Sequence, residues 1–431
     1  MYKWQTGSGR IQSFLKNASA SEHKRKRIPC PLDPKHTVYE DQLQKHLKKC
    51  NSREKPKPVY FIKDINAGLK NETELSEEQV RISALPKQEL ENLIRKLKKA
   101  NNAINYELND QILSHHALQE ALNDPQNGDA AFKHLKQQAS ILGNMKRLHL
   151  LGPGNCFVEF GAGRGKLSHW LDIALQDVQD VHFLLVERAS TRFKVDGKHR
   201  KRYFERLQVD IQHLCLSKVP LLVEQKLPLI GIGKHLCGAA TDLALRCLVD
   251  TYRKSGPEEK EGPVIKRLKT DCSGKIHSKC ATENWSPIAG IVIALCCHHR
   301  CEWRHYVGQD FFTRVGLGPI EFNFFKRMTS WATCGERGTE TSRSGIQNEG
   351  QRNEGEHDQD DINADCSLDS LQGLLTAEER KQIGHLCKLL IDHGRIEYLE
   401  QRGYEAALQR YTDSSVSLEN VLLTAVPAQP S

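Results

Sequence analysis

Residues 157–166, FVEFGAGRGK, decide the fold of this 431-residue chain. An apolar run typical of a buried strand leads into the pattern E-x-G-x-G-x-G, and a helical pattern follows from Lys166. Glycines at a strand-to-helix turn permit a tight turn and let a ligand approach the backbone at the helix N-terminus. A plain turn would also use glycines, so the surrounding sequence has to show whether this turn binds a ligand.

Short apolar runs alternate with helical patterns after residue 155, which predicts a parallel α/β sheet covered on both faces. We therefore expect a Rossmann-like sheet. Its strands are predicted at residues 156–160, 181–187, 207–209, 227–233 and 288–296. Helices are predicted at 166–175, 239–252 and 376–402, and an antiparallel hairpin at the sheet edge from 407–411 and 418–426.

Composition and patterning divide the chain into segments. The prediction is a basic tail at 1–27, a Cys/His finger at 28–51, a linker at 52–85, a helical segment at 86–149 and the α/β domain at 150–427. Two stretches of that domain lack aliphatic periodicity and are predicted to be flexible insertions, at residues 254–284 and 337–369.

The charge is modest overall but unevenly placed. The net charge of +8 excludes an acidic solvating protein, and residues 1–60 alone hold 14 Lys/Arg against 5 Asp/Glu. A second basic run at 188–206, with 8 Lys/Arg against 2 Asp/Glu, includes Tyr203 and Phe204. Such patches favour a nucleic-acid partner, and we interpret the second run as an RNA contact rather than a solvated loop.

Hydropathy and cysteine usage predict the compartment. No apolar run reaches the ~18 residues of a membrane span, and the 14 cysteines follow no N-terminal apolar signal. We therefore expect a soluble intracellular chain in a reducing compartment, with no membrane partner.

Acidic residues after the next two strands strengthen the ligand interpretation of the glycine turn. Glu187 follows about twenty residues on, where an acid can hold ribose hydroxyls, and Asp210 could meet an adenine amino group. The glycine spacing is not the dinucleotide G-x-G-x-x-G, so S-adenosylmethionine fits better than NAD. The candidate cofactor-binding residues are Glu159, Gly161, Gly163, Gly165, Glu187 and Asp210.

Polar clusters follow two further strands, at KHLCG (234–238) and CCHHRC (296–301). Methyl transfer to a hydroxyl needs alignment and a base, and candidates for these roles are Lys234, His235, His298 and His299. Lys166 could neutralise a phosphate or assist deprotonation. Any one of these histidines could instead be a buried structural residue. Zinc in the Cys-Cys-His-His run is disfavoured, because adjacent strand residues point to opposite faces.

A compact Cys/His constellation lies in the basic N-terminal region. Cys30, His36, His46 and Cys50 supply four tetrahedral zinc ligands within 21 residues, and the last two share a helical face. Chance clustering is the alternative. Zinc would provide most of the stability of so short a module, and the lysines around it would offer a phosphate-binding surface.

Five motifs together resemble the eukaryotic tRNA 2′-O-methyltransferases that modify nucleotide 4 of the acceptor stem. They are the finger, FVEFGAGRGKLSHW, RFKVDGKHR, GIGKHLCGAATDLALRC and IALCCHHRCEWRHYVG. The resemblance implies a class I methyltransferase sheet, S-adenosylmethionine as donor, zinc, and tRNAs such as those for glycine, proline and histidine. Members often carry another Cys/His-rich finger upstream, which residues 1–26, with His23 alone, do not match.

Two other functions stay open at this stage. One is a zinc-finger RNA-binding protein without activity, against which Glu159, Glu187 and Asp210 together argue. The other is a methyltransferase with a protein substrate, against which the finger and the basic run argue. A monomer in the nucleus, the cytoplasm or both is the expected state.

Overall fold

The structure of the chain, a computed structural model, describes residues 25–50, 52–53, 56–68, 81–189, 202–252, 287–333 and 374–429. It divides into two units, Met1–Pro58 and Val59–Ser431. The predicted insertions at 254–284 and 337–369 lie outside the described residues, as do residues 1–24 of the predicted tail and most of the basic run at 188–206.

The first unit is a small hairpin followed by one helical turn. Strands β1 (Arg27–Cys30) and β2 (Asp33–Tyr39) pair antiparallel, and helix α1 (Leu43–Leu47) follows. Cys30 and Cys50 are almost fully buried, and among the residues of this unit that the structure describes Val38 is the other buried apolar side chain. So small an apolar core is typical of a module that depends on a metal for its stability.

The second unit is built on an eight-stranded sheet in the order β3-β9-β10-β8-β7-β4-β5-β6. The strands are β3 (Asn109–Asp110), β4 (Cys156–Phe160), β5 (His182–Glu187), β6 (Tyr203–Gln208), β7 (Leu229–Cys237), β8 (Ile288–Cys296), β9 (Tyr404–Arg410) and β10 (Val421–Pro427). The five strands from β6 to β8 are parallel, whereas β10 is antiparallel to both of its neighbours. The predicted mixed α/β fold with a mostly parallel sheet is confirmed.

Nine α-helices accompany the sheet in the described part of this unit. They are α2 (Lys87–Ile104), α3 (Gln119–Leu122), α4 (Asp129–Arg147), α5 (Lys166–Ala174), α6 (Pro220–Gln225), α7 (Ala239–Arg246), α8 (Gln309–Arg314), α9 (Pro319–Met328) and α10 (Ala377–Glu400). Among the described helices, none combines the length and the apolar character that crossing a bilayer requires.

The sheet is buried on both faces, as its continuous apolar strands require. All five residues of β4 are buried; Val158 and Phe160 join one apolar cluster, whereas Phe157 joins another with side chains of α4 and α5. A third cluster joins α2, α8, α9 and α10. Helices α2 and α4, which lie in the segment 86–149, therefore pack within the same unit as the sheet.

Strand order predicts a crevice at the carboxyl ends of the central strands β4 and β7. From β4 the chain proceeds to β5 and β6 on one side, and then returns to β7 and β8 on the other. Loops leaving β4 and β7 diverge at this switch point, where ligands bind in open parallel sheets.

Two local predictions need correction. Residues 59–67, expected in a linker, belong to the second unit, where the buried side chain of Asn66 donates hydrogen bonds to the backbone oxygens of Ile211 and Leu214 at 2.6 and 2.8 Å. The C-terminal hairpin pairs antiparallel as predicted but is not the outermost element, since β3 pairs with β9 on its open side.

A buried ion network ties the helices to the end of β8. The guanidinium of Arg395 on α10 donates two hydrogen bonds to Asp242 on α7, at 2.7 and 3.1 Å, and one to Asp392 at 2.8 Å. Asp392 also contacts His298 Nε2 at 2.8 Å. All four side chains are at most 2% exposed, so each charge depends on its partners for compensation.

Replacement of Arg395 by methionine should lower the free energy of unfolding of the second unit by about 3–5 kcal/mol, because two carboxylates lose their buried cation. The matched control is Arg410→Met, which removes a salt bridge to Asp110 on the surface and should cost about 0–1 kcal/mol. Urea denaturation of both variants measures the difference. Equal losses would contradict the assigned importance of the network.

Candidate active site and zinc finger

The four predicted zinc ligands of the first unit converge. Cys30 Sγ lies 3.8 Å from Cys50 Sγ and 3.2 Å from His46 Nε2. His36 Nε2 lies 3.1 Å from His46 Nε2 and 3.7 Å from Cys50 Sγ. The turn of α1 brings His46 close to Cys50, and the β1–β2 hairpin brings Cys30 to His36.

These separations, 3.1–3.8 Å, are close to the edges of a tetrahedron around one zinc ion, the two shortest being 0.1–0.2 Å below the expected range. Bond lengths of about 2.3 Å to sulfur and about 2.0 Å to nitrogen give tetrahedral edges of roughly 3.3–3.8 Å. Two sulfurs and two nitrogens at these spacings form a closed set of the structural type. Their side chains are buried or half-buried, which would shield the ion from water.

The glycine loop adopts the backbone that its sequence predicts. Gly161, Gly163 and Gly165 have φ values of +61°, +48° and +72°, in the left-handed region that favours glycine. A Cβ on Gly165 would lie 2.7 Å from a Leu185 methyl, whereas one on Gly163 would meet nothing within 4 Å. The backbone at Gly163 therefore faces open space beside the crevice.

The three predicted acids have different surroundings. Glu159 is buried, and its carboxylate accepts hydrogen bonds from the backbone N–H and hydroxyl of Ser168 on α5. Burial raises the pKa of Glu159 to about 7. Through its contacts with Ser168, Glu159 therefore attaches α5 to the strand that leads into the glycine loop. Glu187 accepts from Gly163 N–H at 3.0 Å and Asp210 from Gln212 N–H at 3.0 Å, at the ends of β5 and β6.

A lysine and two histidines meet at the end of β7. Lys234 Nζ donates to His235 Nε2 at 2.8 Å and to His134 Nδ1 at 3.0 Å. Burial lowers the pKa of Lys234 to about 8. Desolvation and the neighbouring Lys234 lower the pKa of His235 to about 4 and depress that of His134. Neutral imidazoles thus surround an amine that loses its proton unusually easily.

A bulge in β7 changes the direction in which these side chains point. The register between β7 and β8 shifts between Lys234 and Leu236, so His235 is an extra residue in the strand, and its φ is +63°. Bulges of this kind are common beside active sites, where they turn a side chain out of the ladder. His235 was predicted from the sequence as a candidate catalytic residue, but nothing in the sequence pattern indicated the bulge.

His134 was not predicted. It lies on α4, 100 positions before Lys234, and a single histidine in a helical pattern carries no functional signal. Lys166, at the start of α5, is exposed and near enough to Lys234 to lower its pKa. The structure therefore brings Lys234, His235 and Lys166 together near the carboxyl ends of β4 and β7, and it adds His134 to this group.

The two histidines after β8 have different surroundings. His298 is buried against Asp392 in the ion network, which holds the loop in place. His299 is half-buried and lines a cavity of about 440 Å³, to which Cys297 and His298 also contribute. The other polar groups around this cavity include Lys133, Lys388 and the hydroxyls of Ser414, Ser415 and Ser417. The Nε2 of His299 is buried and makes no hydrogen bond within the described part of the chain.

The fold and these groups define a class of protein: a mixed α/β unit with a glycine loop at its switch point, preceded by a CHHC zinc finger. Family models agree with both parts. Residues 136–426 match the family "Methyltransferase TRM13", and residues 27–51 match "U11-48K-like CHHC zinc finger". The chain belongs to the TRM13 methyltransferase family.

Curated relatives support this membership over nearly the whole chain. A mouse protein named "tRNA:m(4)X modification enzyme TRM13 homolog" is 62% identical over 96% of this chain and 89% of its own length, and the human homolog gives the same values. The Schizosaccharomyces pombe "tRNA:m(4)X modification enzyme TRM13" is 32% identical over 94% of this chain and 96% of its own length. No solved structure matches the chain significantly.

Loss of one zinc ligand should unfold the finger. In Cys50→Ser, amide hydrogens of residues 27–50 should exchange at least about tenfold faster, because the hairpin keeps little apolar core. A chelator should produce the same change in the wild-type chain. Lys45→Ser, within α1, is the control and should retain protection. Unchanged exchange in Cys50→Ser would show that the hairpin folds without metal.

Replacement of Gly163 by arginine should weaken binding of the methyl donor by about 100-fold or more, because the new side chain fills the open space beside the loop. Gly154→Arg is the matched control, since Gly154 also has a positive φ (+69°) with nothing near its Cβ position. It precedes β4, at the opposite end of that strand. Calorimetric titration compares the variants, and equal binding by both would refute the assignment of the loop.

Proposed function

We propose that this chain transfers a methyl group from S-adenosylmethionine to the ribose 2′-hydroxyl of nucleotide 4, a cytidine or adenosine, in the acceptor stem of tRNA. Its substrates would include tRNAs for glycine, proline and histidine. The observation that carries the proposal is the high identity, over nearly the whole chain, to relatives named as tRNA:m(4)X modification enzymes.

The sheet supports a Rossmann-like donor domain of the class I methyltransferase type. Numbered along the chain from β4, its parallel strands follow the order 3-2-1-4-5, which is the order of the Rossmann sheet. The donor would lie over Gly161, Gly163 and Gly165, with its ribose hydroxyls at Glu187 and its adenine toward Asp210. Glu187 keeps acceptor capacity for this role, because a carboxylate offers about four lone-pair sites. When bound, the donor supplies a methyl group on a sulfonium.

Lys234 is our candidate for the general base. The 2′-hydroxyl must lose its proton as it attacks, and an amine with a pKa of about 8 is well matched to that task. His235 and His134 both contact Lys234 Nζ and would orient it. Because their own pKa values are lowered, they would stay uncharged while Lys234 takes up the proton.

Acceptor RNA would enter from the side of β8. The cavity beside His299 presents Lys133, Lys388 and several hydroxyls, which suit a phosphate or a ribose. Lys388 is held at 2.8 Å from Glu419 in the same cavity. Lys166 would neutralise a phosphate nearer the donor. His298 would act through the position of the loop, since its imidazole is buried against Asp392.

The finger would hold zinc and present lysines to the RNA backbone. Lys35, Lys45, Lys48 and Lys49 are all exposed on this small unit, and clustered lysines on a rigid module bind phosphates. We propose that the chain acts as a monomer on tRNA in the nucleus, the cytoplasm or both. Enzymatic action on a protein, or RNA binding without catalysis, would be the alternative outcomes of the following test.

The test is transfer of a labelled methyl group to a tRNA pool, followed by nucleoside mapping. The expected product is a 2′-O-methylated nucleotide at position 4. Label on protein alone would support the protein-substrate alternative, and tRNA binding without label would support the non-catalytic one. Lys234→Met should lower kcat by about 10²–10⁴-fold, the range of a general base.

The pH profile separates a catalytic from a structural role of Lys234. Only the neutral amine accepts a proton, so the rate should rise about tenfold per pH unit below pH 8 and level off above it. His235→Gln should change this apparent pKa while keeping measurable activity. A profile that stays flat between pH 6 and pH 9 with unchanged tRNA binding would exclude Lys234 as the base.

A further inference from the structure

Three cysteine thiols meet at the ends of β7 and β8. The sulfurs of Cys237, Cys296 and Cys297 all lie within 4.8 Å of one another, and Cys237 Sγ is 3.5 Å from Cys296 Sγ. Cys296 is buried and the other two are half-buried. This cluster is separate from the finger, although Cys297 also lines the cavity beside His299.

The backbone explains why all three sulfurs share one place. Cys237 and Cys296 are register partners on adjacent parallel strands, so their side chains point to the same face. Cys297 would point to the opposite face if the strand continued, which is why the sequence disfavoured a metal site here. Its φ of +49° instead turns the chain out of the strand, and its sulfur joins the other two.

Close packing holds the two loops together around the thiols. Gly238 follows Cys237 with φ +54°, and a Cβ at this position would lie 2.3 Å from the backbone oxygen of Arg300. The buried contact of His298 with Asp392 fixes the loop after Cys297 from its other side. The three sulfurs are therefore positioned by rigid backbone, as ligands of a metal site must be.

We infer that Cys237, Cys296 and Cys297 form a second metal site, which takes a thiolate-preferring divalent ion such as zinc. The 3.5 Å between Cys237 Sγ and Cys296 Sγ is close to the 3.8 Å between Cys30 and Cys50 in the finger. Thiolates select soft ions over magnesium or calcium. Each cysteine would release its proton on binding, and a water or an added ligand would complete four-coordination.

A metal at this position would pin together the two strand ends that carry the proposed catalytic groups. Lys234 and His235 precede Cys237 by two or three residues, and His299 follows Cys297 by two. The bond to the ion would fix the distance between the β7 and β8 loops. The role assigned here is structural and does not depend on which substrate the enzyme methylates.

The experiment is metal analysis of the full chain after equilibration with zinc and dialysis. We expect the wild-type chain to retain one equivalent of zinc more than Cys237→Ser or Cys297→Ser. Each of these substitutions should cost the same one equivalent in a chain whose finger is inactivated by Cys30→Ser and Cys50→Ser. Cys215→Ser, which alters a thiol beside Ser217 outside both clusters, is the matched control and should lose none. Circular dichroism verifies that each variant is folded.

Cadmium provides a second readout that reports sulfur ligands directly. Its thiolate charge-transfer absorbance should persist in the finger-deficient chain and disappear when Cys237→Ser is added. Equal zinc in wild type and both cluster variants would overturn the inference. So would the loss of two titratable thiols without metal, because that result would mark a disulfide between Cys237 and Cys296.

Discussion

The placement of the site depends on a buried guanidinium. Arg395 lies between Asp242 and Asp392 with almost no exposure, and Asp392 in turn holds His298. Burial opposes ionisation of Asp392, but His298 and Arg395 outweigh it and keep the pKa of that carboxyl below its usual value. A charge buried in this way tolerates few geometries. Helices α7 and α10 and the loop after β8 are consequently held in one arrangement.

Local pattern predicted most of the sheet, but it missed β3 and the first four residues of β6, which was predicted at 207–209 and spans Tyr203–Gln208. The strands at 156–160 and 288–296 have the predicted bounds, because each is a continuous apolar run ended by glycine or polar residues. The backbone conformation of the glycine turn was equally predictable, since its three glycines at alternate positions all have positive φ values. The finger was readable because its ligands are close in sequence. Where the strands were misjudged, as at β7, a bulge extended the strand beyond the end of its apolar run.

The interactions that could not be predicted join residues distant in sequence or depend on an unusual backbone. His134 reaches Lys234 across 100 positions, and Asp242 reaches Arg395 across 153. Neither pair has a sequence signal, because each is created by packing of α4 or α10. The thiol cluster escaped prediction for the second reason: strand alternation assigned Cys296 and Cys297 to opposite faces, and one left-handed residue reversed that assignment.

Two strained residues at adjacent strand ends connect these observations. His235 and Cys297 both have positive φ without being glycine, which costs of order 1 kcal/mol or more each. Such strain persists only when the surroundings determine the backbone, and here the Gly238–Arg300 contact and the Arg395 network provide that determination. The strain turns His235 toward Lys234 and Cys297 toward Cys237. The packing of the helices through the Arg395 network thus stabilises the unfavourable backbone of His235 and Cys297, and the proposed sites at the ends of β7 and β8 depend on that backbone.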